Sequence, residues 1–100
     1  VGELTQNSDE RLKENIEVIP DAVAKVNALR GVTYTRKDNG EKSTGLIAQD
    51  VVPVLPEAVD DSGDFLALKY GNTVGLLVEA IKEQSAQIQA LTKRITELEA

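Results

Sequence analysis

From Val74 onward, apolar residues return at a fixed interval. Val74, Ile81, Ile88 and Ile95 stand seven apart, and Leu77, Gln84, Leu91 and Leu98 follow three residues after each. These are the a and d positions of successive heptads, the pattern of a helix that lays one narrow stripe against partner helices. With Asn72 as a suitable N-cap, a helix from Thr73 to Leu98 would be about 39 Å long. In its first half, where Gly75, Leu76, Val78 and Ala80 make the helix apolar on several sides, the stripe is expected to pack on the body of its own chain. Beyond Glu83 the stripe narrows to a seam that needs partners.

Upstream, the elements are shorter. Ile19, Ala22, Val23, Val26 and Leu29 share one helical face, with Pro20 suited to a first helical position and Gly31 to the stop. Residues 32–36 and 43–47 flank Asp38-Asn39-Gly40, whose last two residues tolerate positive φ, and predict a hairpin. Residues 48–55 suit a short helix that Pro53 shortens, and Pro56 pushes Leu55 out of helical geometry. Residues 60–64 read as a turn and 65–70 as a strand. The fold class predicted is α+β: a small globular part of helix, hairpin, short helix and strand, then a long C-terminal helix forming a parallel trimeric coiled coil. In this division residues 1–7 end an upstream segment, 8–83 hold the globular part with the start of the long helix, and 84–100 form the coiled-coil tail. A chain opening on Val1 is read as a piece of a longer protein.

The strand number rests on details of the seam. β-Branched residues at a with Leu at d favour two strands, whereas Gln84 supplies a polar layer of the kind that specifies oligomer state. Arg94-Ile95-Thr96-Glu97-Leu98-Glu99 resembles the Arg-apolar-x-x-apolar-Glu pattern of short trimeric coiled coils. Arg94 would reach a neighbouring Glu99 while its methylenes cover the apolar layer. A homotrimer is the expected assembly.

Composition narrows the chemistry. Only Tyr34, Phe65 and Tyr70 are aromatic, so a chain of 100 residues must build its core from Val, Ile, Leu and Ala, and association would supplement so thin a core. The net charge is −6 with scattered basic residues, which argues against nucleic acid as a partner. No apolar run approaches a membrane span. There is no His and no Cys, which removes the usual zinc site, thiol nucleophiles and imidazole bases. No metal or cofactor is expected. What remains is a hydroxyl activated by a neutral lysine, and Ser8 with Lys13 stand in the most polar stretch. On the residues alone, the plainer reading is that Ser8 or Asp9 caps a helical turn and Lys13 is solvated.

The segment Ser8-Asp9-Glu10-Arg11-Leu12-Lys13-Glu14-Asn15-Ile16 resembles the opening Ser-Asp-x-Arg-x-Lys-x-Asn-Ile of the endosialidase-type intramolecular chaperone domain. Further blocks follow in the expected order: Gly31-Val32-x-Tyr34, Gly45-Leu46-Ile47-Ala48-Gln49-Asp50, Leu55-Pro56-Glu57-Ala58-Val59, and Tyr70 leading into residues 77–83. Asp50 departs from the pattern, since relatives often carry Glu there.

The resemblance implies a domain at the C-terminus of a phage tailspike, tail fibre or neck appendage that drives trimerisation and then cuts itself off before its first serine. Carried over, the scissile bond joins Asn7 to Ser8, Ser8 supplies the hydroxyl, Lys13 the base, and Asp9, Arg11 and Asn15 the supporting motif. The implied partner is the upstream shaft of its own precursor. The implied location is the host cytoplasm during assembly, and the virion tail if the domain is retained. Two alternatives stay open: a non-cleaving trimerisation module of the same fold, and a membrane-tethered eukaryotic transcription factor, where similar domains make the same cut.

Positions five apart diverge by about 140° on a helix and face opposite sides on a strand. An irregular turn or a neighbouring subunit must therefore join Ser8 to Lys13. A lysine acting as base must also shed its proton, which requires burial or a nearby cation, for which Arg11 is available. Lys13 is expected to be solvated and inactive in the monomer and desolvated on assembly.

Overall fold

The computed structural model describes residues 5–100; of the upstream segment, residues 1–4 lie outside that range. It is an α+β chain with two small hairpins and a long C-terminal helix. In order come α1 (Ala22–Asn27), β1 (Val32–Thr35), β2 (Lys42–Gly45), α2 (Ala48–Val51), β3 (Val59–Asp60), β4 (Ala67–Leu68) and α3 (Val74–Glu99). Short 3-10 turns stand at Glu10–Leu12, Pro56–Ala58 and Tyr70–Thr73. Strands β1 and β2 pair antiparallel with Val32 opposite Gly45, and β3 and β4 with Val59 opposite Leu68.

The core is small and aliphatic. Ala22, Val51, Leu55, Ala58, Leu76 and Ala80 are buried together, with Ile19, Val23, Val26, Leu29, Leu46 and Leu68 packed around them. Leu76 and Val51 are the largest side chains fully shielded from water. Each contributes about 1.5–3 kcal/mol by that burial. The three aromatic residues stay outside, and Phe65 is 89% exposed.

Helix α3 carries two distinct stripes. Thr73, Leu76 and Ala80 turn inward, while the a and d residues Val74, Leu77, Ile81, Ile88, Leu91, Ile95 and Leu98 are between 46% and 76% exposed. Gln84 is exposed as well. The stripe that holds α3 to its own body is thus not the heptad stripe. Val78, expected on the packed face, is 47% exposed because it falls outside the inward rows.

Several boundaries differ from the sequence pattern for identifiable reasons. Helix α1 starts at Ala22, because Asp21 takes a left-handed conformation (φ 52°) after Pro20, and it ends well before Gly31. Its leading N–H groups are satisfied from a distant element: Ala22 N and Val23 N donate to the Glu83 carboxylate at 2.6 and 3.3 Å. A carboxylate at a helix N-terminus meets both the orphan donors and the positive end of the dipole. Glu83→Ala is therefore expected to lower stability by about 1–2 kcal/mol, and Glu83→Gln by less, since an amide oxygen still accepts. Urea unfolding of the two variants measures the difference.

The expected strand over residues 65–70 is paired only at Ala67 and Leu68, because β3 offers two partners before its chain turns away at Asp60. Tyr70 instead opens a 3-10 turn, closed by Thr73 Oγ1 donating to the Tyr70 carbonyl at 2.6 Å. That turn runs directly into α3, so Asn72 is not its N-cap; the Asn72 amide faces the Glu57 carbonyl at 3.5 Å. In the first hairpin only Gly40 takes positive φ, at 73°. Its loop closes through Arg36 N donating to Glu41 O.

Candidate functional site

Asp9 caps the first 3-10 turn, accepting from Arg11 N at 2.9 Å, and the turn ends with Lys13 N donating to Glu10 O. At the end of that turn Lys13 leaves in an extended conformation. The path curls its side chain back over the segment's own start. Lys13 Nζ donates to Ser8 Oγ at 2.8 Å and to the Ser8 carbonyl oxygen at 3.2 Å. One tight turn of one chain brings the two side chains together, as neither a regular helix nor a strand could.

Arg11 is not beside Lys13 as a free cation. Asp9 grips its guanidinium with both carboxylate oxygens, Nε to Oδ1 at 3.1 Å and Nη2 to Oδ2 at 2.8 Å. The Arg11 side chain, then its backbone N–H, holds the Asp9 carboxyl below the usual carboxylate range, with Lys13 adding a weaker pull. Asp9 and Arg11 thus brace the turn against each other. Residues 5–18 are all exposed, including the apolar Leu12, Ile16 and Val18 at 69%, 65% and 72%. The site stands on the surface of the single chain, in a segment whose apolar side chains this chain leaves uncovered.

A family model described as chaperone of endosialidase matches residues 8–60. The chain belongs to this family. The match opens at Ser8, the residue that Lys13 reaches.

Over 98 residues this family member is 37% identical to the long tail fiber protein Gp37 of Enterobacteria phage K3, covering 88% of this chain and 8% of that relative. The Gp37 of Salmonella phage S16 is 32% identical over 108 residues, with 96% of this chain and 14% of the relative covered. Myelin regulatory factor homolog 1 of Caenorhabditis elegans is 32% identical over 108 residues, with 96% and 12% covered. The chain spans only a small part of these relatives.

Other residues of the chaperone-of-endosialidase pattern serve the scaffold. The Tyr70 hydroxyl accepts from Leu46 N at 3.1 Å and lies where a side chain on Gly45 would stand, which is why that position takes glycine. Asp50 accepts from Arg30 Nε at 2.8 Å, so the shorter carboxylate still finds a partner. Two contacts had no signature in the sequence. One is the Glu83 cap on α1. The other lies upstream of Ser8, where the Gln6 side chain rests on Gly71, its Oε1 3.1 Å from where a Cβ would be.

Proposed function

We propose that this chain is the C-terminal intramolecular chaperone of a phage tail fibre, that it assembles as a parallel homotrimer through the α3 seam, and that it releases itself by cutting between Asn7 and Ser8. The single observation that carries the cut is Lys13 Nζ at 2.8 Å from Ser8 Oγ. A neutral amine at that place accepts the hydroxyl proton. The freed Oγ then attacks the Asn7 carbonyl carbon, the bond from that carbon to Ser8 N breaks, and the nitrogen takes a proton. This leaves the Asn7 acyl group as an ester on Ser8. Water hydrolyses the ester, giving an Asn7 carboxylate and restoring the Ser8 hydroxyl.

Family membership supports the chaperone role, and the Gp37 relatives support a tail fibre as the client. The exposed heptad stripe supports association, and Gln84 with Arg94 and Glu99 supports three strands. In this reading residues 8–83 form the chaperone part, residues 84–100 the coiled-coil tail and residues 1–7 the end of the shaft. Assembly takes place in the host cytoplasm. Trimer formation would also supply what the base needs. Desolvation disfavours the charged form of an amine, and cover over Leu12, Ile16 and Val18 would shield the exposed segment that carries Lys13.

The test is a chain extended upstream by its native shaft. Sedimentation should give three chain masses, and mass spectrometry a product beginning at Ser8. A trimer that stays intact on long incubation would leave the non-cleaving module as the correct reading. A third reading, release of a DNA-binding fragment, is favoured only by the myelin regulatory factor relative.

A further inference from the structure

Asn15 closes the motif around Ser8 and Lys13, yet its side-chain amide makes no hydrogen bond among the described residues. What sets it apart is its backbone, at φ 54° in the left-handed region. Asn tolerates that region far better than most non-glycine residues. We infer that Asn15 is a positioning residue whose contribution is this backbone turn and not its amide. The inference rests on the self-cleavage reading of Ser8 and Lys13.

The hydrogen bonds of the reactive turn are internal to it: Asp9 with Arg11, Leu12 N with Asp9 O, and Lys13 with Glu10 and Ser8. Residues 8–14 are exposed, and the chain next reaches the core through Ile19. The direction in which the turn is presented is therefore decided between residues 14 and 19, where Asn15 makes the bend. Changing its φ to the ordinary negative range would swing the turn away from the body. Upstream, Gln6 lies on Gly71 at the start of α3. The bond between Asn7 and Ser8 thus lies between Gln6, whose side chain approaches Gly71, and the bend at Asn15.

Glycine separates backbone from amide, because it removes the side chain and adopts positive φ freely. In the shaft-extended chain, Asn15→Gly and Asn15→Asp are expected to release at no less than half the wild-type rate, and Asn15→Ala about tenfold more slowly. In the same chains carrying Ser8→Ala, the nuclear Overhauser contact between the Gln6 amide and Gly71 Hα should survive Asn15→Gly and vanish in Asn15→Ala. If Asn15→Gly is as slow as Asn15→Ala, or if the contact persists in Asn15→Ala, the inference is overturned. If the contact follows the expected pattern while wild type releases nothing, the backbone role stands and the self-cleavage reading falls.

Discussion

Ser8→Ala is expected to abolish release, and Lys13→Ala to slow it by about 100- to 10,000-fold, the range typical of a lost general base. Lys13→Arg should be as slow as Lys13→Ala despite keeping the charge, because a guanidinium does not give up its proton in this range. That comparison separates a base from a cation that merely orients Ser8, since the second role would survive in arginine. The fold should tolerate all three changes within about 0.5 kcal/mol, because the Ser8 and Lys13 side chains are exposed and hydrogen-bond only within this pair among the described residues. Mass spectrometry of the shaft-extended chains gives the rates, and thermal unfolding confirms that the body is intact. Hydroxylamine, which cleaves esters, should accelerate release in wild type and leave Ser8→Ala unchanged. Release by Ser8→Ala at the wild-type rate would rule out the hydroxyl as nucleophile.

The second large effect divides α3 by face. Leu76→Ala empties the centre of the core, where Leu76 has no exposed surface, and should cost about 2–5 kcal/mol. Against the 5–15 kcal/mol of a typical small domain, that is enough to bring the body close to unfolding. Ile88→Asn with Leu91→Asn should do the reverse. Both residues are more than 60% exposed in the single chain, so the body keeps its fold while the seam loses two apolar layers. Sedimentation is expected to fall from three chain masses to one, and release with it, because Lys13 then keeps no cover from water. A double variant that still sediments as a trimer would remove the seam from the assembly.

The two faces also mark how far the sequence could be read. The heptads were legible because a coiled-coil stripe is a property of one helix and its spacing. The same holds for the aliphatic core, which the shortage of aromatic residues left no alternative to, and for the Asp38-Asn39-Gly40 turn, where Gly40 takes the positive φ. Ser8, Lys13 and the residues between them were legible as a motif, but not as a geometry.

Helix and strand termini were less legible, because distant partners decide them. Glu83 caps the start of α1 from sixty residues away, and the two residues of β3 limit β4 to two. Arg11 could be named as a neighbour for Lys13, but only the folded turn decides that Asp9 takes it. Sequence by itself thus determined the exposed heptad stripe, the makeup of the core and the residues available for chemistry, since each depends on spacing or composition. Tertiary structure alone decided that Lys13 reaches Ser8, that Glu83 caps α1 and that Gln6 rests on Gly71. Those contacts depend on where an irregular backbone carries each side chain, and no periodicity records that path.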